Sequence, residues 1–132
     1  MSDTIGIFGG AFDPVHNGHV SSILELNEKI DFSELKIIPC NIPAQKEKTI
    51  ASNDERLHML NLVFDKYDNI NIDSFELDKS GISYTVDTLE AITKKNKNGQ
   101  HLTLIMGLDA FLNLTSWKKY ERILELSSIL IL

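Results

Sequence analysis

Residues 5–19 read Ile5-Gly6-Ile7-Phe8-Gly9-Gly10-Ala11-Phe12-Asp13-Pro14-Val15-His16-Asn17-Gly18-His19. The apolar run 5–8 reads as a buried strand. Gly9-Gly10 follows at once and permits backbone angles that side chains forbid, so a turn is expected there. Asp13-Pro14 redirects the chain, because proline fixes its own φ and pushes its predecessor toward extended geometry. His16-Asn17-Gly18-His19 then opens a helical pattern. A strand, a glycine turn and a helix N-terminus carrying two imidazoles make an anion site. His16 and His19 are three apart, so a helix that starts near Asn17 points them the same way.

Outward from this stretch, strand and helix patterns alternate. A helix is expected from Gly18 to about Lys29, with Val20, Ile23, Leu24 and Leu26 toward a core. A second strand spans 35–38 and is closed by Pro39, and a loop runs from Asn41 to Ala51 with Gln45, Lys46 and Lys48 within reach of each other. Ser52-Asn53-Asp54-Glu55 is a capping box opening a helix with Leu57, Leu60, Val63 and Phe64 at helical spacing. Residues 70–72 form a short third strand. Thr85 or Ser83 is expected to cap a helix carrying Leu89 and Ile92, which Asn98-Gly99 stops. Residues 101–106 form a fourth strand, with Gly107-Leu108-Asp109 just past its end. A short helix around Phe111, Leu112 and Leu114 follows, then another from Trp117 to Leu126. Residues 127–132 read as a last apolar strand inside the sheet.

This alternation predicts an α/β fold, a Rossmann-like doubly wound parallel sheet with helices on both faces. Strands without polar alternation agree, since they are buried on both sides. Such sheets bind ligands beyond the carboxyl ends of the strands. The polar candidates do follow strands: Gly9, Gly10, His16 and His19 the first, Gln45, Lys46 and Lys48 the second, Gly107 and Asp109 the fourth.

With 132 residues, the chain suits one domain rather than two. A formal net charge of -6 argues against nucleic acid as a partner, because no excess of Lys or Arg exists to neutralise a phosphate backbone. An anionic ligand would need local positive groups. Cys40 is the only cysteine, which excludes an intrachain disulfide and fits a reducing cytoplasm. Neither a signal peptide nor a membrane span is read from the sequence, so a membrane partner is not expected. The closing apolar run has no covering helix after it, so the single domain 1–132 is expected to be incomplete at its C-terminus.

The stretch 9–19 resembles the signature of the nucleotidyltransferase superfamily with the His-x-Gly-His motif. Four further stretches resemble the bacterial nicotinate-nucleotide adenylyltransferases: Ile37-Ile38-Pro39-Cys40-Asn41-Ile42-Pro43, Arg56-Leu57-His58-Met59-Leu60, Ser83-Tyr84-Thr85-Val86-Asp87-Thr88-Leu89, and Met106-Gly107-Leu108-Asp109 with Trp117. The resemblance implies attack by nicotinate mononucleotide on the α-phosphorus of ATP, giving nicotinate adenine dinucleotide and pyrophosphate in NAD biosynthesis, with Mg²⁺ assisting. It assigns catalysis to His16 and His19. ATP contacts are assigned to Gly9, Gly10, Phe12, His16, His19, Gly107 and Asp109, the last on ribose hydroxyls. Acceptor contacts fall to Gln45, Lys46, Tyr84, Thr85 and Trp117, with Trp117 stacked on the nicotinate ring and Thr85 at its carboxylate. The chemistry suits such a set: the attacking phosphate is already anionic, so positioning and charge stabilisation suffice, and no base is needed.

Several alternatives stay open. The acceptor could be nicotinamide mononucleotide or pantetheine phosphate, or the chain could bind nucleotide without turnover. Asp109 also suits a helix N-cap, Lys46 and Lys48 a solvated loop, and Trp117 a core. His-x-x-His is also a metal-ligand spacing, but it lacks further ligands nearby. Arg56 lies in a helix's first turn, where a cation gains nothing from the dipole, so a plain surface role is less natural and a ligand role stays open beside it. His58 and His101 read as structural or exposed, and Cys40 as a small buried filler. Two departures from the family pattern are visible. Gln45 stands where a histidine commonly does, which keeps a donor but loses a charge. The family's Ile-Ser-x-Thr-x-x-Arg motif does not occur by Leu132, which puts turnover by this exact chain in question.

Overall fold

Five parallel strands form the central sheet, in the order β4-β2-β1-β6-β7. The structure, a computed structural model, describes residues 3–12, 15–43 and 49–132. In chain order the elements are β1 (Thr4–Gly10), α1 (Asn17–Lys29), β2 (Glu34–Pro39), β3 (Ile42–Pro43), α2 (Asn53–Phe64), β4 (Ile70–Ile72), β5 (Ile82–Ser83), α3 (Thr85–Lys95), β6 (His101–Met106), α4 (Leu108–Leu112), α5 (Tyr120–Leu126) and β7 (Ser128–Ile131). The doubly wound α/β architecture read from the sequence is the one observed.

Two hydrophobic clusters sandwich the sheet. Ile5 and Ile7 of β1 join Leu102, Leu104 and Met106 of β6 beneath α3 and α5, with Leu89 and Ile123 fully buried. On the other face Phe8, Leu35 and Ile37 meet Ile23 of α1 and Leu60 and Phe64 of α2. Alternate residues of one strand serve opposite faces, so a central strand must be apolar throughout. Gly6 is part of that packing: a Cβ there would lie 2.7 Å from Leu35 Cδ1 and 2.9 Å from Phe32 Cε1.

Strand order reverses beside β1: β2 lies on one flank, and β6, reached only after three more elements of the main fold, lies on the other. A crevice opens at such a reversal. The segments after β1, β2 and β6 therefore converge at one end of the sheet.

Three expectations need correction. Gly9 and Gly10 are not a turn; they finish β1, paired with Ile38 and Pro39 of β2, and neither has a positive φ. The chain bends beyond them, and the left-handed residue is Phe12, at φ 47°. The α3 N-cap is Tyr84, with no side-chain cap bond, because Ser83 belongs to β5 and Thr85 is already helical. The last helix starts at Tyr120 rather than Trp117, since Lys119 at φ 51° breaks the run. β7 pairs with β6 on the side away from β1. A second sheet, in which β3 pairs with β5, has no counterpart in the sequence reading.

Candidate functional site

His16 is the N-cap of α1, with extended backbone at φ -137° and ψ 173°. N-caps are usually Ser, Thr, Asp or Asn, whose short side chains accept a bond from the first turn. Here an imidazole does it: His16 Nδ1 accepts from Gly18 N at 3.1 Å. His19 answers by accepting from His16 N at Nδ1, 3.3 Å away. The two rings stack, with centroids 3.7 Å apart and planes 23° from parallel. This explains why glycine stands between them. A Cβ on Gly18 would sit 2.9 Å from His16 Cε1 and 3.0 Å from its Nδ1.

The reciprocal cap fixes a tautomer. A nitrogen that accepts a backbone N–H cannot carry a proton itself, so in both rings the proton sits on Nε2. Two imidazoles thus present Nε2–H donors side by side at the end of a helix where the dipole favours an anion.

Beside them, the crevice at the carboxyl ends of the strands holds a cavity of about 250 Å³. Gly9 and Gly10 form one wall, Gly107 another, and Tyr84, Thr85 and Trp117 a third. His16, His19 and Asp109 stand outside this lining. Phe12 connects the two parts. It is buried, lies edge-on to His19 at 5.1 Å, and covers Gly10, whose added Cβ would meet its ring at 3.4 Å. A left-handed phenylalanine carries a strain of about 1–2 kcal/mol. The contacts of its buried ring with Phe8 and His19 hold it there.

Trp117 is half-buried just after the 3₁₀ turn Leu114–Ser116, one side against the core and the other on the cavity. Lys118, exposed at the cavity, places its Nζ 4.5 Å from the Tyr84 ring centroid and 3.8 Å from an Asp87 carboxylate oxygen. Asp109 is exposed in the first turn of α4, whose N-cap is Gly107, so the N-cap reading of Asp109 does not hold. Gln45, Lys46 and Lys48 lie outside the described residues, as do Asp13 and Pro14. His58 and His101 are exposed and Cys40 is buried, as the sequence suggests.

Three residues in or against this site lie outside the roles assigned from the sequence. Glu76 reaches the cavity from the segment before β5 and accepts from Thr88 Oγ1 at 2.6 Å. Burial pushes its carboxyl up, against the bonds from Thr88 and Ser83 that pull it down. Cys40 lines the cavity with its thiol pushed up, first by burial and then by Glu76, while the Arg56 guanidinium opposes both. Arg56 is the third, and it is fully buried. A signal for it was available: 56, 60 and 64 fall on one helical stripe, so an arginine heads a run of core positions.

The same fold recurs in known proteins. The cytidylyltransferase-like family model matches residues 7–132. The chain belongs to the cytidylyltransferase-like family. Among relatives of this cytidylyltransferase-like chain, a probable nicotinate-nucleotide adenylyltransferase of Methylococcus capsulatus is 42% identical over 129 residues, covering 97% of this chain and 61% of that protein. A protein of the same description from Legionella pneumophila strain Lens is 40% identical over 98% of this chain, again 61% of the relative. This cytidylyltransferase-like chain thus spans about three fifths of the length of these relatives. Among solved structures, the Plasmodium falciparum nicotinic acid mononucleotide adenylyltransferase complexed with NaAD superposes with a TM-score of 0.83. It is 20% identical and covers 97% of this chain and 63% of its own, a likeness of fold.

Proposed function

We propose that this chain carries the nucleotidyl-transfer site of an adenylyltransferase that joins ATP to nicotinate mononucleotide. One observation carries the reading most: the stacked His16–His19 pair, both Nδ1 atoms tied to backbone N–H groups, offering two Nε2–H donors at a helix N-terminus beside an apolar, aromatic cavity. The relatives named as nicotinate-nucleotide adenylyltransferases support the choice of acceptor.

In this reading the acceptor phosphate oxygen attacks the α-phosphorus in line. A new O–P bond forms, the bond to the β-phosphate oxygen breaks, and pyrophosphate leaves with the electron pair. No proton need be removed from the nucleophile. The two Nε2–H groups stabilise the charge spreading over the phosphorus oxygens as it develops. Gly9, Gly10 and Gly107 keep the cavity walls low where phosphate and ribose approach. Trp117 and Tyr84 offer ring faces to the pyridine, and Thr85 stands at the start of α3, where an anionic substituent gains from the dipole. Gln45 and Lys46 are assigned to the acceptor from the resemblance alone.

Mg²⁺, carried in on the triphosphate, would neutralise charge on the leaving group; among the described residues no three His, Cys, Asp or Glu side chains gather that could hold it. A cytoplasmic location is proposed on the same reading; no described helix is long and apolar enough to cross a membrane.

The test is pyrophosphate release on incubation with ATP, Mg²⁺ and each of nicotinate mononucleotide, nicotinamide mononucleotide and pantetheine phosphate. Turnover with the first is expected. Turnover with another acceptor and none with nicotinate mononucleotide would replace the acceptor. Calorimetric ATP binding without any turnover would leave a nucleotide-binding protein.

A further inference from the structure

Arg56 is the fourth residue of α2 and heads the stripe continued by Leu60 and Phe64; all three have no exposed surface. A leucine would pack there at less cost, since a buried guanidinium must give up its hydration. Among the described residues no carboxylate lies within 4.0 Å of it. What the guanidinium does instead is reach back to the carboxyl ends of the strands. Nη1 donates to the Ala11 carbonyl at 2.8 Å. Nη2 donates to Asn53 Oδ1 at 2.6 Å and, at 3.5 Å, to the Asn41 carbonyl. The Asn53 amide donates to Asn41 Oδ1 at 2.9 Å, and the Asn41 N–H donates to Ser83 Oγ at 2.8 Å.

One planar, always-charged fork therefore ties together the segment after β1, the segment after β2 and the residue before the α3 N-cap. The Ala11 carbonyl belongs to the peptide that joins Ala11 to Phe12. Holding it restrains the left-handed φ of Phe12, and the Phe12 ring rests against His19. Lysine could not substitute, because a single ammonium cannot span two carbonyls in fixed geometry.

We propose that Arg56 is a positioning residue for nucleotidyl transfer: through Ala11 and Phe12 it sets the His19 imidazole, and through Asn53 and Asn41 it holds the facing wall of the cavity. The inference rests on the nucleotidyl-transfer reading above. Its test uses Arg56→Lys and Phe12→Leu, singly and combined, with the His19 ring resonances read by NMR beside the steady-state kinetics. R56K is expected to stay folded, to lose about 10- to 100-fold in kcat, the scale of a misplacement near 1 Å, and to change the KM for ATP less. The His19 ring protons should shift as the Phe12 ring moves, while the methyl groups of Ile92 and Ile123, on the other face of the sheet, should not. Because both substitutions act on the same imidazole, the loss in the double variant should be smaller than the product of the single losses. Native kcat in R56K, or fully multiplicative losses with unmoved His19 resonances, would overturn the proposal. Should R56K fail to fold, Asn53→Ala cuts only the arm toward Asn41 and is expected to lower kcat less, in the same direction; unchanged kcat there would count against it. If the native protein releases no pyrophosphate, the functional reading fails, yet the His19 shift in R56K still decides whether Arg56 sets that ring.

Discussion

Gly18→Ala separates stability from chemistry at this site. An alanine Cβ at 18 would lie 2.9 Å from His16 Cε1 and 3.0 Å from Nδ1, whereas ordinary contact begins at 3.4 Å. The imidazole must therefore retreat by several tenths of an ångström. It cannot do so and keep both its 3.1 Å bond from Gly18 N and its 3.7 Å stack on His19. Loss of an N-cap costs about 1 kcal/mol. Replacing a helical glycine by alanine returns about 1 kcal/mol. The two nearly cancel, so the melting temperature should move by no more than about 3 °C, given the few degrees that 1 kcal/mol shifts a domain of this size. Turnover has no such offset, because the His16 Nε2–H moves with the ring. A loss of about 10- to 100-fold in kcat is expected, the scale of sub-ångström to 1 Å misplacement of a reacting group. Thermal unfolding followed by circular dichroism and a pyrophosphate-release assay on the same preparation check both halves. Native turnover in G18A would refute the role given to the His16 geometry. A melting temperature lower by 10 °C or more would refute the cap accounting.

His19→Ala should cost on the order of 10²- to 10³-fold in kcat with a modest loss of ATP affinity by calorimetry, because the donor is worth most where charge develops; unchanged turnover would remove His19 from the mechanism. Gly6→Ala is expected to destabilise the protein by about 1–3 kcal/mol in urea unfolding, since its Cβ would press on Leu35 and Phe32 inside a packed face. Glu76→Gln tests the half-buried carboxyl. With its folded pKa held above the ordinary 4.5, Glu76 contributes stability that is full below pH 4.5 and is lost as pH rises through the folded value. The glutamine variant keeps an acceptor for Thr88 and has no ionised form to bury. It should therefore melt higher than the native chain at pH 7, with the gap closing as pH falls below 4.5; a gap independent of pH would contradict the assignment.

Local signals in the sequence were accurate where the cause of structure is local. The capping box Ser52–Glu55 is present as read, with Ser52 Oγ accepting from Glu55 N at 3.1 Å and Glu55 Oε1 accepting from Ser52 N at 2.9 Å. The stop of α3 was read too late: the helix ends at Lys95 with Asn96 as its C-cap, and Gly99, at φ 66°, lies in the turn beyond it. Misreadings arose where a long-range partner decides. Gly9-Gly10 looks like a turn from composition, but β2 alongside extends the strand through both residues. β3 and β5 are two residues each and exist only because they meet each other. Arg56 read only as a first-turn cation with nothing to gain from the helix dipole; its burial depends on distant partners, the Ala11 carbonyl, and Asn53, itself tied to Asn41.

By itself, the sequence determined the alternation of apolar strands and amphipathic helices, hence the doubly wound sheet, and the stretch from Ile5 to His19 that puts two imidazoles at a helix start. Those follow from periodicity and capping, which act over a few residues. Only the structure decided which nitrogen of each imidazole carries the proton, through capping bonds from backbone N–H groups two and three residues away. It also decided that the left-handed residue after β1 is Phe12 rather than a glycine, and that Glu76 and Cys40 line the same crevice with Arg56 behind Cys40. Their sequence separations carry no pattern. They come together because β4, β2 and β1 are neighbouring parallel strands, so the segments leaving them and the start of α2 share one end of the sheet.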